Sequence, residues 1–342
     1  MNSTEWVKIW LKTCDENGIP PWEFDFKQFY KSEIFPSANS NDTSHLESWL
    51  KYKYTKELNK AKSNPFTDSL KKIYEDENIE DAMLRDPDKV AFPIYNILKW
   101  QETEHNAICG DSMNSFSTTF TPLLSISRTP FSIENTKIWM DLFDEVPNLK
   151  TKLKTWSEKS EIKNITKFYF NKENQVRIKN NKTKINLLEE IEKFASLTHS
   201  VGNYTVMLSW MNQGRGIGNV GDYWDLTLKD LKEFFLNIDN GNLGGDFWKK
   251  FVKKYYLQPF VNNNYSVGEL WKGHFVKGIY PENIDDFEQF YRNVNLLIEE
   301  RGKWMTKILC EKLNLTNLEF YKDDLVNMEK IRFFNDIINR QT

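Results

Sequence analysis

HSVGNYTVMLSWMNQGRGIGNVGDYWDLTLKDLKEFF, residues 199–235, is the stretch on which the reading of this chain turns. Its apolar run Tyr204–Trp210, with alternating and β-branched residues, has the pattern of a short strand. The run ends in a glycine-rich loop, Gly214 to Gly221. An acidic-aromatic turn follows, Asp222-Tyr223-Trp224-Asp225, and the spacing then predicts a helix from Thr227 to about Ile238. A strand, a loop and a helix in such close succession place the chain among α+β folds rather than all-helical ones.

Outward from this centre the pattern is mostly helical. Upstream, a helix is expected over 184–197. Downstream, helices are expected over 246–256, with Phe247, Phe251 and Tyr255 aligned, over 282–313, and over 322–338. The 282–313 helix has the clearest stripe: Phe287, Phe290, Val294, Leu297, Ile298, Trp304, Met305, Ile308 and Leu309. Gly302 interrupts it at a cost of about 1 kcal/mol relative to alanine. At the other end of the chain, Ser3 or Thr4 can cap a first helix carrying Trp6, Ile9, Trp10 and Leu11, which Gly18 and Pro20-Pro21 end. A short aromatic segment, 22–30, follows. Further helices are expected over 42–61 and 132–147, with breaks at Pro65, Pro87 and Pro93. The stretch 109–121 has no helical period and reads as a loop leading into an extended segment. Two alternating runs, Thr166–Phe170 and Gln175–Lys179, predict a hairpin inside the Lys- and Asn-rich region 149–184. The expectation is one globular domain over 1–342, predominantly α-helical with a few short strands near the centre, and with 149–184 as its one point of subdivision.

Composition narrows the function classes. Aromatic residues are 15% of the 342, enough for a packed core and against disorder. A net charge of -3 gives no global field toward nucleic acid and leaves only local basic patches to consider. No apolar run approaches the roughly 20 residues that span a bilayer, so no membrane partner is expected. The three cysteines, Cys14, Cys109 and Cys310, are far apart and in no metal-like spacing, which predicts a reducing, cytoplasmic location.

The chemistry-bearing residues fall into two polar blocks. In the first, Gly216-Ile217-Gly218-Asn219-Val220-Gly221 matches G-x-G-x-x-G, but no second strand follows the helix, so no Rossmann-type dinucleotide site is expected. The loop is either a phosphate cradle, with Arg215 as its cation, or simply a tight turn. Asp225 reads as the cap of the following helix, with Trp224 and Leu226 packing inward, while Asp222 can point back to the loop and bind a polar ligand. His199, one of 4 histidines, is either a helix-end partner of the dipole or a general base. Asn203 and Asn212 complete this block as ligand-binding candidates. The second block is Cys109-Gly110-Asp111-Ser112-Met113-Asn114-Ser115-Phe116, in which Asp111, Ser112 and Asn114 offer more side-chain hydrogen bonding than a turn requires. His105 lies just upstream among carboxylates. A divalent metal ion suits such groups, although no motif with metal-ligand spacing identifies a set of ligands.

Three stretches, Gly110-Asp111-Ser112-Met113-Asn114-Ser115-Phe116, Ser200-Val201-Gly202-Asn203-Tyr204-Thr205 and Asp222-Tyr223-Trp224-Asp225-Leu226-Thr227-Leu228, resemble the signature blocks of a bacterial family built on a domain of unknown function. The resemblance implies that the blocks belong to one fold and supplies no catalytic residue. His199 to Met207, followed by Asn212, is also similar to the H-T-x-G-N-L-T-L-L…N block of HNH-like nuclease domains in modification-dependent restriction enzymes, and Ile298-Glu299-Glu300-Arg301 fits their late I-x-x-R pattern. Glu104-His105-Asn106-Ala107 departs from their E-H-I-x-P block in lacking the proline, so the resemblance implies a degenerate nuclease as readily as an active one. Two functions follow as expectations. One is an enzyme on a phosphate-containing or nucleic-acid substrate, with His199, His105 and Asp111 catalytic and with Ser112, Asn114, Asn203, Asn212, Arg215 and Asp222 binding. The other is a non-catalytic protein whose aromatic surface meets a protein partner.

Overall fold

The computed structural model describes residues 2–26, 91–100, 108–112, 190, 193–194, 196–208, 224–237, 244–271 and 284–339. Its elements are α1 (Ser3–Glu16), α2 (Phe92–Leu98), β1 (Ile108–Ser112), β2 (Tyr204–Leu208), α3 (Trp224–Asn237), α4 (Gly244–Lys254), α5 (Ile284–Leu313) and α6 (Phe334–Ile338). Most described residues are helical, and β1 and β2 form one two-stranded antiparallel ribbon. The expected class, mainly helical with a few short strands near the middle, is the class observed. The helices expected over 42–61 and 132–147 and the hairpin expected over 166–179 lie outside the described residues, as do the breaks at Pro65 and Pro87.

Helix α5 is the axis of the core. Phe290, Val294, Leu297, Ile298, Met305 and Leu309 recur at helical spacing and are fully buried. Helix α1 packs chiefly on α2 and touches α5, and it buries Trp6, Val7, Trp10 and Leu11, with Trp6 and Trp10 against the Phe24 and Phe26 rings; each contributes about 1.5–3 kcal/mol when taken from water. The cap of α1 is Asn2 rather than Ser3 or Thr4. Its side chain accepts from the Glu5 N–H at 3.0 Å while the Glu5 carboxylate accepts from the Asn2 N–H at 3.2 Å, a reciprocal box that serine one residue later is out of step to make. Ser3 instead accepts a hydrogen bond from the Asn96 side chain of α2. Gly18, at φ +63°, turns the chain out of the helix as expected. Pro93 opens α2 instead of breaking a helix, because its missing N–H is one that a first turn leaves unbonded anyway.

Four further departures have physical causes. Residues 109–112, expected as loop, are strand because they pair with β2. Helix α3 begins at Trp224, three residues before the expected start, so Asp225 sits in the first turn, near the positive end of the dipole, and not at the cap. In α4 the buried positions are Trp248, Val252 and Tyr255, while Phe247 is 39% exposed. Trp248 takes the inner seat because its indole N–H donates to the Tyr265 carbonyl at 2.8 Å. The expected helix over 322–338 is a π-type turn, Tyr321–Leu325, followed by the short α6. Phe333 is extended there (φ -84°, ψ 163°), which lets the Phe334 N–H reach the Val261 carbonyl at 2.9 Å.

Candidate functional site at the 199–205 turn

The site residues that are described lie in the turn leading into β2 and in the ribbon that β2 forms with β1. A 3-10 turn, Val201–Asn203, lies directly against α5. The contact has no room for a side chain: a Cβ on Gly202 would come within 2.0 Å of the Ile298 carbonyl oxygen, and one on Gly302 within 2.8 Å of the Trp22 Cβ. The two glycines are what allow the turn and Trp22 to sit on the helix. Gly302 is therefore a packing requirement of α5, not merely a weak point in it.

Asn203 is fully buried and its amide is engaged at both ends. Its Nδ2 donates to the Thr198 carbonyl at 2.7 Å, and its Oδ1 accepts from the Trp224 indole at 3.0 Å. This ties the turn to the start of α3, where the Trp224 ring stacks on Phe260 at 3.8 Å. The second and third sequence blocks are thus joined by one side chain.

Below the turn lies Arg301, with no exposed surface. Its Nη1 donates to the Gly202 and Tyr204 carbonyls at 2.9 and 2.5 Å. Nη2 donates to the Tyr255 carbonyl at 2.9 Å and reaches the Thr205 hydroxyl at 3.4 Å. Nε is shared between the Tyr255 and Tyr256 carbonyls at 3.3 and 3.1 Å. All five donor positions of the guanidinium thus have an acceptor. The Tyr255 and Tyr256 carbonyls lie just past the C-terminus of α4, where the helix dipole is negative. Trp100 and Trp224 stand over the guanidinium at 5.4 and 5.3 Å. Burial lowers its pKa to about 9, against a smaller upward pull from Tyr95, so it carries its charge at neutral pH.

His199 sits at the outer edge of this arrangement. Its side chain is 11% exposed, and its Nδ1 is 4.0 Å from the Asp25 carboxylate, whose side chain is 13% exposed. That separation supports an ion pair when the imidazole is protonated. The His199 carbonyl accepts from the Phe26 N–H at 3.0 Å, fixing the two segments backbone to backbone.

The ladder register adds the other polar block. Asp111 stands opposite Thr205, and Ser112 opposite Tyr204. The backbone of Asp111 and Ser112 is therefore brought to the end of the ribbon that the 201–203 turn leads into. His105, Asn114, Asn212, Arg215 and Asp222 lie outside the described residues. Among the described residues no group of three His, Cys, Asp or Glu side chains is placed to hold a metal ion, and no helix is long and apolar enough to cross a membrane.

Sequence reasoning missed Asp25 as a neighbour of His199. The signal was present in Phe24-Asp25-Phe26, where alternation sends two buried rings one way and the carboxylate the other. It also read Arg301 only as part of a motif, with no sign of the cage around it. Comparison of the chain with known protein families, with curated proteins and with solved structures finds no match.

Proposed function

We propose that this chain is an enzyme acting on a phosphate-containing substrate, a phosphodiester in the first instance, at the end of the ribbon where the 199–203 turn meets Asp111 and Ser112. The ladder register carries the reading, because it brings together two polar blocks that are remote in sequence. His199 with Asp25 facing it is a general-base arrangement: the imidazole takes a proton from the attacking water, and the carboxylate stabilises the imidazolium that results. Asp111 is then an orienting group or a ligand for a divalent ion. The test is cleavage of plasmid and single-stranded DNA with Mg²⁺ or Mn²⁺, for wild type beside His199→Ala, Asp25→Asn and Asp111→Asn. Loss of activity in variants that keep their melting temperature is the expected result. Cleavage undiminished in all three, or absent from wild type, removes the reading.

One observation favours a second reading, a non-catalytic interaction protein. Asn203 and Arg301, which the sequence motifs mark as functional, have their polar groups engaged inside the fold. A wild type with no cleavage under any metal condition turns the question to that alternative.

A further inference from the structure

The strongest unexplained feature outside this site is the outer face of α4, GGDFWKKFVKK. Lys249, Lys250, Lys253 and Lys254 are all exposed on it. Lys249 and Lys253, and likewise Lys250 and Lys254, are one turn apart, about 6 Å along the helix axis. None of the four forms an ion pair with a carboxylate among the described residues. The helix dipole accounts for Lys253 and Lys254, which lie in the last turn, but not for Lys249 and Lys250. Exposed Phe247 lies beside them, with the Lys250 ammonium 5.8 Å from its ring centre. Tyr265, partly exposed, receives Lys249 at 6.0 Å.

We infer that this face is a docking surface for single-stranded nucleic acid, with the four lysines along the phosphate backbone and Phe247 as a stacking platform for a base. Charge complementarity selects the class of partner: four cations with no ion-pair partner among the described residues, in a chain of net charge -3, are a local anion site against an acidic background. Aromatic rings interleaved with lysines are what a single strand, with its exposed bases, can use. A membrane surface fits less well. An interfacial helix must bury its apolar face in lipid, and here Trp248, Val252 and Tyr255 are committed to the core. The surface shares no side chain with the proposed catalytic site, and binding on it requires neither His199 nor a metal.

The experiment is fluorescence anisotropy of a labelled oligothymidylate titrated with the full chain, without metal, across a range of salt concentrations. Four phosphate contacts predict a log–log salt slope of about -3, from about 0.7 per contact for single strands. Lys253→Ala with Lys254→Ala is expected to flatten the slope by about 1.4, half of it, on the same basis. Phe247→Ala is expected to weaken binding about tenfold with the slope unchanged. His199→Ala is expected to bind as wild type does, which separates this surface from the catalytic reading. Reversal of all four lysines to glutamate, in a variant with wild-type circular dichroism and melting, is expected to abolish binding. Unchanged binding by that variant overturns the proposal. So does a wild type that binds polyglutamate or phosphatidylserine vesicles but not the oligonucleotide, or that binds none of them.

Discussion

Arg301 and the lysines of α4 make the same kind of contact, a cation over an aromatic ring, in opposite surroundings. Arg301 is enclosed between Trp100 and Trp224 with every donor engaged by the protein. Lys249, Lys250 and Lys254 stand over Tyr265, Phe247 and Tyr255 at 5.6–6.0 Å with their ammonium groups in water. In the buried case desolvation is severe, and only a full set of carbonyl acceptors makes the charge tolerable. In the exposed case solvent already satisfies the ammonium, the ring adds little, and the charge remains available to another molecule. One cation is therefore part of the fold, and the others are free for recognition.

The largest expected effect is at the buried end of that comparison. Arg301→Ala leaves four carbonyls from two segments without donors and is expected to cost about 3–5 kcal/mol, measured by urea unfolding. The fourfold lysine reversal is expected to cost no more than about 2 kcal/mol by the same measurement, arising from Lys253 and Lys254 at the negative end of the dipole. Equal losses in the two variants would end the contrast. Next is Gly202→Ala, whose Cβ must displace the turn from α5. A cost of about 3 kcal/mol is expected from overpacking, with the circular dichroism of the folded state preserved. Trp224→Phe keeps the stack on Phe260 but removes the indole N–H from the Asn203 oxygen. About 1–2 kcal/mol is expected for the acceptor left buried, again read from the urea midpoint.

The smallest effect is at a half-buried ion pair and depends on pH. Burial raises the Glu299 pKa, but hydrogen bonds from Lys193 and Lys303 outweigh it and hold the carboxyl below the usual glutamate range. Because the folded pKa is depressed, the pair stabilises the fold above the free-glutamate pKa of about 4.3 and is lost as pH falls through the folded value. Glu299→Gln is expected to cost no more than about 1 kcal/mol at pH 7 and to make the acid limb of the stability profile less steep.

Legibility in the sequence followed the range of the forces. The length and stripe of α5 and the strand at Tyr204 were readable because periodic burial is written locally. The edges of α3 and α4 were not, since which aromatic faces inward was decided by partners elsewhere: Asn203 for Trp224, Tyr265 for Trp248. The site was legible as a list of polar blocks, and its adjacency was not, because the pairing of Asp111 with Thr205 is a long-range fact. Gly302 shows the limit most plainly. Alone it is a flaw in a helix, and its purpose exists only once Gly202 and Trp22 arrive.

Asp15 has a consequence for synthesis on the ribosome. Its carboxylate accepts the backbone N–H groups of Glu319 and Phe320, 304 residues and more further along the chain. Helix α1 emerges early, yet the surfaces that complete its burial are made last. At about 5–20 residues per second Asp15 waits roughly 15–60 s for these two partners. Nascent chains stalled short of residue 300 are expected to be cut rapidly within α1 by a low dose of protease, and completed chains to resist. An equally resistant stalled chain would mean that α1 finds an earlier partner.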